Sequence, residues 1–179
     1  GELLKAWTGH QGTIHGITFS PDSQVLATSG STDRAIRLWN ANRTSPEFGL
    51  LRVGLNSNLQ GLYEVAFTPD GATLIGCGFP ANIELWDVDS ASATYGQLRT
   101  TIAEVGGSTL TTLALSPDGT VLAVGGDDSS IYLWDLRDNT QISRLRSITS
   151  VIQSIAFAPD GQRLIFASDD GTVRVWGIP

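Results

Sequence analysis

One stretch of this chain is written four times, and a repeat of that kind leaves few folds open. Its clearest copy, the third, runs from Leu113 through Ser116-Pro117-Asp118-Gly119 to a second apolar run at Val121–Gly126. It then passes Asp127-Asp128 and closes on Ile131-Tyr132-Leu133-Trp134-Asp135. The other copies place Pro-Asp at Pro21-Asp22, Pro69-Asp70 and Pro159-Asp160, with tryptophans at Trp39, Trp86 and Trp176. From proline to tryptophan is 18, 17, 17 and 17 residues, and successive tryptophans stand 47, 48 and 42 apart. A fixed period of roughly 20–50 residues is the signature of stacked structural units.

Each copy shares one physical pattern. A strand-like run ends in a Pro-Asp turn, where proline fixes φ and a following glycine permits positive φ. Gly71, Gly119 and Gly161 fill that glycine place, and Ser23 fills it in the first copy. A second apolar run, a small acidic turn and a third run ending at tryptophan follow. Three short runs joined by tight turns predict a meander of antiparallel strands, so the chain is expected to be all-β. Short runs ahead of each copy (Leu3-Leu4, Leu50–Val53, Leu98–Ile102 and Ile142–Leu145) predict a fourth, outer strand, the first of which opens the chain.

On these residues the chain resembles the WD-repeat (tryptophan–aspartate repeat) β-propeller family. Trp86-Asp87 and Trp134-Asp135 match the name-giving dipeptide, whereas Trp39-Asn40 and Trp176-Gly177 depart from it. Gly9-His10 matches the family's glycine–histidine pair, which the other copies lack. The resemblance covers nearly the whole of residues 1–179 and implies a single β-propeller unit of four-stranded antiparallel blades, built from four WD-type repeats. It also implies a buried hydrogen-bonded set of histidine, serine or threonine, aspartate and tryptophan within a blade. In copy one the matching residues are His10, Thr28 or Ser29, Asp33 and Trp39. That set has a structural role, because buried polar groups must pair and a satisfied network rigidifies a turn. The later copies carry Gly76, Val124 and Phe166 at the Ser/Thr place, and copy two carries Pro80 at the aspartate place. Full polar bracing is therefore expected in the first copy alone.

The net charge is −7, with one lysine and ten arginines in no cluster. That argues against non-specific nucleic-acid binding and against docking on an anionic membrane surface. A hydrophobic content of 41% argues against disorder. Cys77 stands alone, so neither an intrachain disulfide nor a cysteine metal motif is expected. No run approaches the roughly 20 apolar residues needed to cross a bilayer. No signal peptide is visible, so a cytoplasmic location is the default expectation. No methionine occurs, and Gly1 is read as the start of a processed chain or a fragment.

Alternation along the first strand of each copy assigns His15, Ile17 and Phe19 to one face. Their equivalents are Tyr63, Val65 and Phe67, then Thr111, Leu113 and Leu115, then Gln153, Ile155 and Phe157. The other face (Ile14, Gly16, Thr18 and equivalents) is smaller, as suits strands covered on both sides by neighbouring blades. At the head of that strand the copies differ (His15, Tyr63, Thr111, Gln153), while the next position on the same face stays aliphatic. A repeat position that varies while its neighbours hold is read as free of core packing. Exposed polar and aromatic side chains are the usual material of binding surfaces. Together with Gln11, Asn58, Gln60, Ser108 and Ser150 from the preceding turn, these residues are expected to form a partner-binding rim.

Other chemistry is poorly supported. His10 and His15 are the only histidines and lack the ligand spacing of a metal site. Asp127-Asp128 and Asp169-Asp170 lie in no EF-hand-like loop and read as turn residues bonding their own backbone. No nucleophile elbow is present. No catalytic residue, metal or cofactor is therefore assigned. Asn42-Arg43-Thr44 fits a glycosylation acceptor pattern, which matters only in a secreted protein.

Four blades of the family's wedge shape make half of an eight-bladed ring, or part of a larger propeller, and leave two apolar faces open. A third route is four steep blades closing alone, with Leu3-Leu4 covering the last one. The expected function is a non-catalytic protein-interaction scaffold that presents a rim to protein or peptide partners. It is expected to self-associate as a dimer completing an eight-bladed ring, through its open blade faces and N-terminal strand. The alternative is a small-ligand-binding or hydrolytic propeller using the central channel, with His15, Tyr63, Glu64 and Gln153 as candidate groups.

Overall fold

In the computed structural model, which describes residues 1–146 and 149–178, the repeats become blades. The first blade is β1 (Ile14–Phe19), β2 (Val25–Gly30), β3 (Ala35–Asn40) and β4 (Leu51–Asn56). The second is β5 (Gly61–Phe67), β6 (Thr73–Phe79), β7 (Ile83–Asp87) and β8 (Leu98–Ile102). The third is β9 (Leu110–Leu115), β10 (Val121–Gly126), β11 (Ile131–Asp135) and β12 (Thr140–Leu145). Each is an antiparallel meander in chain order. The fourth has three strands, β13 (Ile152–Phe157), β14 (Arg163–Ser168) and β15 (Val173–Gly177). Among the described residues no helix is long and apolar enough to cross a membrane.

The Pro-Asp turns explain the hairpins locally. In blade one the Ser20 hydroxyl donates to Asp22 Oδ1 at 2.5 Å and accepts the Val25 N–H, while Asp22 Oδ1 accepts the Gln24 N–H. Thr68 with Asp70 and Ser116 with Asp118 repeat the lock. Ala158 removes the hydroxyl in blade four, where Asp160 accepts the Gln162 N–H and the Arg163 guanidinium instead. The residue after tryptophan shapes the neighbouring loop at the same end of the blade, where the Ala41 and Val88 N–H groups donate to the Gln24 and Ala72 carbonyls of the Pro-Asp turns. Asp87 accepts the Asp89 N–H and the hydroxyls of Ser92 and Thr94, and Asn40 Oδ1 accepts the Asn42 N–H. An amide thus serves where aspartate is usual.

The core lies between blades rather than inside any one of them. Ala27, Ile36 and Leu38 of blade one pack on Leu62, Val65 and Phe67 of blade two. Ile75, Ile83 and Leu85 pack in the same way on Leu110, Leu113 and Leu115. Ala123, Ile131 and Leu133 pack on Ile152, Ile155 and Phe157. No such seam joins blade four to blade one among the described residues, so the four blades form an open arc rather than a closed ring.

Two expectations about strands need correction. Residues 1–10 form no strand, and Leu3 and Leu4 are exposed. A strand needs a hydrogen-bonded neighbour, and in an open arc β15 offers this segment none. What anchors the segment is Trp7, stacked on Trp39 with ring centroids 5.9 Å apart and edge-on to Phe48 at 6.0 Å. The alternation assigned to the inner strands also fails at their head. Register shifts fall between Ile14 and Gly16, Leu62 and Glu64, and Ile152 and Ser154, with the matching shift opposite Gly125 and Gly126 in blade three. Each is a β-bulge, and the extra residue reverses the phase. Leu62 therefore shares the core face of Val65 and Phe67, on which the alternation had placed Tyr63.

Candidate functional site

In blade one, the turn between β2 and β3 brings Asp33 beneath His10, with His10 Nδ1 3.0 Å from Asp33 Oδ2. His10 Nε2 is 2.7 Å from Thr28 Oγ1, and the Trp39 indole N–H donates to the same oxygen at 2.8 Å. Because Thr28 accepts from the indole, its own hydroxyl proton is free to donate to His10 Nε2. The Arg37 guanidinium comes within 2.7 Å of His10 Nδ1 beside Asp33, so both ring nitrogens are engaged. Asp33 also accepts the Gln11 N–H and the Arg37 guanidinium. Burial raises the Asp33 carboxyl, and the Gln11 N–H, Arg37 and His10 outweigh it, leaving the group below its ordinary value. The structure thus brings His10, Thr28, Asp33 and Trp39 together. Ser29 stands apart, accepting the Gly16 N–H across the hairpin at 3.0 Å.

The other blades lack this four-residue set and are braced with different chemistry. The place opposite Thr28, held by Arg37, becomes Glu84, Tyr132 and Arg174 in turn. Glu84 is fully buried and accepts the Ser57 hydroxyl at 2.6 Å and the Asn58 N–H at 2.9 Å. Its carboxyl is pushed up by burial, against the pull of Ser57 and Asn58. In blade three the Tyr132 hydroxyl donates to Asp128 at 2.5 Å, and Arg144 reaches Asp128 at 2.8 Å over the Tyr132 ring. In blade four Arg174 grips Asp170 at 2.7 Å, and together with Ser168 and Thr172 it holds that carboxyl well below its usual range. The indole nitrogens of Trp86 and Trp134 are left buried without a partner, because Gly76 and Val124 replace the threonine.

These braces support the rim expected to bind partners. His15, Tyr63, Thr111 and Gln153 prove to be the bulged residues themselves, lying outside the ladder at the head of β1, β5, β9 and β13. His15 and Gln153 are exposed, and Tyr63 and Thr111 half-buried. Adjacent members reach one another: the His15 and Tyr63 rings lie 5.1 Å apart, and the Thr111 hydroxyl donates to the Ile152 carbonyl of the next blade. Gln11, Asn58, Gln60 and Ser108 are exposed and Ser150 is half-buried, all in the turns leading into the inner strands. Several of these turns are held from below by carboxylates. Asp33 takes the Gln11 N–H, Glu84 the Asn58 N–H, and Asp127 both the N–H and hydroxyl of Ser108. Glu84 was the acidic partner missed by sequence reasoning, and Asp127, read as bonding its own turn, holds the turn at Ser108 instead.

Of the candidate groups for channel chemistry, His15 and Tyr63 meet, and Glu64 does not join them. Glu64 points into the seam between blades two and three, where Oε2 accepts the Leu113 N–H at 2.7 Å. Burial pushes its carboxyl up, opposed by Leu113 and Thr112. His15 instead faces Tyr63 on the blade-one side. Cys77 is fully buried, and among the described residues no group of three or more His, Cys, Asp or Glu is placed to hold a metal ion.

Comparison with known proteins agrees with this architecture. Residues 1–40 match the family model described as WD domain, G-beta repeat. Residues 47–178 match that of the Nucleolar protein 10-like, N-terminal domain, a β-propeller. The chain is 33% identical over 97 residues to a periodic tryptophan protein 2 homolog of Neurospora crassa, covering 54% of this chain and 10% of that protein. It is 30% identical over 95 residues to periodic tryptophan protein 2 of Arabidopsis thaliana, covering 53% and 10%. It is 28% identical over 89 residues to WD repeat and SOCS box-containing protein 1 of Homo sapiens, covering 50% and 20%. The chain thus spans between a tenth and a fifth of the length of these relatives.

Proposed function

The chain belongs to the WD-repeat β-propeller family, and on that premise we propose that it is a non-catalytic scaffold for protein interaction. Its working surface is the rim built from the bulged residues His15, Tyr63, Thr111 and Gln153, flanked by Gln11, Asn58, Gln60, Ser108 and Ser150. The ligand is a protein or peptide segment laid along that row. The observation that carries this reading is the bulge itself. It recurs at the same place in all four blades and each time lifts one variable side chain out of the strand ladder. A bulge re-aims a side chain without disturbing the sheet around it. Rigid strands beneath variable surface residues are the usual basis of specific recognition. The chain also self-associates in this reading, two copies completing an eight-bladed ring, so that the rim belongs to both.

Two experiments test this. Proteins captured on the purified chain are compared with those captured on Tyr63→Ala/Gln153→Ala, and any protein lost is rebound in pure form. A partner that binds both forms with equal affinity overturns the rim. Light scattering across a dilution series reads self-association separately, and a mass of 19.0 kDa at every concentration overturns the dimer.

A further inference from the structure

The three interior seams are three examples of one interface, and the chain carries both halves of a fourth, one at each end. On the leading side, the positions filled by Leu62, Val65 and Phe67 in blade two are filled by Ile14, Ile17 and Phe19 in blade one. Val65 is 3% exposed in its seam, while Ile17 is 67% exposed. On the trailing side, the buried pair Ile131 and Leu133 of blade three corresponds to Val173 and Val175 of blade four, which are 70% and 60% exposed. Trp7 covers Leu26 and Trp39 on the leading side, but the rest of both seam faces is open, and two open runs of this kind are not ordinary.

Polar detail matches as well. In two of the three interior seams the side chain after the bulge in one inner strand accepts a backbone N–H of the next. Glu64 accepts from Leu113, and Thr112 Oγ1 accepts from Ile155 at 3.3 Å. Gly16, which has no side chain, would place a Cβ 3.1 Å from Val65 N. The unused members of this series are Ser154, exposed on blade four, and the N–H of Ile17 on blade one. At the turn rim, a Cβ on Gly71, Gly119 or Gly161 would lie 3.5, 2.6 or 3.6 Å from Cδ of Pro21, Pro69 or Pro117 in the preceding blade. The unused members here are Pro159 and Ser23, and Ser23 already holds the glycine-like φ of 60°.

We infer that the trailing face of blade four docks head to tail on the leading face of blade one of a second copy. Ser154 accepts the Ile17 N–H and Pro159 meets Ser23 in that seam. The inference rests on the self-association proposed above and adds its polarity and register. The contact is heterologous, so each copy uses both of its faces, and two such seams close the pair. Pairing of like faces, blade one on blade one, would repeat no seam found in the molecule.

The test uses Ile17→Asp and Val175→Asp, both at exposed positions where folding is spared, as checked by tryptophan fluorescence. Masses are measured by light scattering for the chain, each variant and their equimolar mixture. The expected result is twice 19.0 kDa for the parent, single mass for each variant alone, and restored double mass for the mixture, which retains one intact seam. A parent that is always monomeric sinks the self-association reading itself and assigns the faces to some other protein segment. A dimeric parent with one variant still dimeric, or with no restoration on mixing, overturns the head-to-tail inference alone. Masses that grow beyond two copies overturn ring closure. Register is read by amide exchange at Ile17, expected to quicken by about tenfold in Ser154→Gly with the dimer intact. Unchanged exchange overturns the assigned bond.

Discussion

The Thr28 hydroxyl receives the indole N–H of Trp39 at 2.8 Å, and among the described residues none does the same for Trp86 or Trp134. Thr28→Val would strand that donor and His10 Nε2 together in a buried site. An unpaired buried polar group costs about 1–3 kcal/mol, so a loss of that order is expected in urea denaturation. The converse change, Val124→Thr beside Trp134, provides an acceptor but buries a hydroxyl proton with no histidine to receive it. Its expected effect is under about 1 kcal/mol in either direction.

Glu84 makes stability depend on pH in an unusual direction. Its carboxyl is raised in the folded state, so the folded chain holds the proton more tightly than the unfolded chain. The favourable contribution is complete below the unfolded value of about 4.3 and is lost as pH rises through the folded value. Glu84→Gln keeps an acceptor for the Asn58 N–H and cannot ionise. The stability of the parent relative to this variant should therefore fall as pH is raised from acid to neutral. A relative stability that stays constant or rises contradicts the assignment.

Glu64 acts as a bolt between blades two and three. Glu64→Ala leaves the buried Leu113 N–H without its acceptor and is expected to cost about 1–3 kcal/mol. Glu64→Gln, which can still accept that N–H, should lose much less. Equal losses in the two variants, measured by chemical denaturation, would place the effect in packing instead.

The seam between blades three and four closes over Gly125. A Cβ there would lie 2.8 Å from Ile152 Cγ2 and 3.0 Å from Ile155 Cδ1. Gly125→Ala should therefore wedge the blades apart and cost about 1–3 kcal/mol, the usual range for overpacking. Gly54, in β4, has nothing within 4 Å of a built Cβ. Gly54→Ala should be neutral or slightly stabilising, since it narrows the unfolded ensemble. The difference between the two melting temperatures checks the seam.

The blades were legible in the sequence because proline, turn residues and tryptophan recur at nearly constant spacing, and because the hairpins need those residues locally. The bulges were not. One extra residue reverses the phase of alternation, and His15-Gly16-Ile17 reads equally well as a regular strand. The braces of blades two to four were hidden for a different reason. Ser57 and Glu84 are 27 residues apart, and nothing in their local sequence marks them as partners. Arg144 reaches Asp128 from the next strand but one, a contact that only the folded sheet creates. The outer strand expected at Leu3-Leu4 failed because two apolar residues in a row describe a tendency, and pairing requires an available edge.

A chain holding four similar meanders runs a standing risk of assembling them in the wrong combination, with a hairpin from one sheet inserted in its neighbour. The divergent braces work against this error. Laid beside β2, β7 would carry the Glu84 carboxylate to Thr28 and away from Ser57. Laid beside β6, β3 would set the Arg37 guanidinium against Gly76 and away from His10 and Thr28. Each misplacement breaks polar contacts inside the sheet, while the apolar residues would accept the exchange without penalty. The polar residues thus serve as addresses: hydrophobic periodicity says that a strand belongs in some blade, and the brace says which.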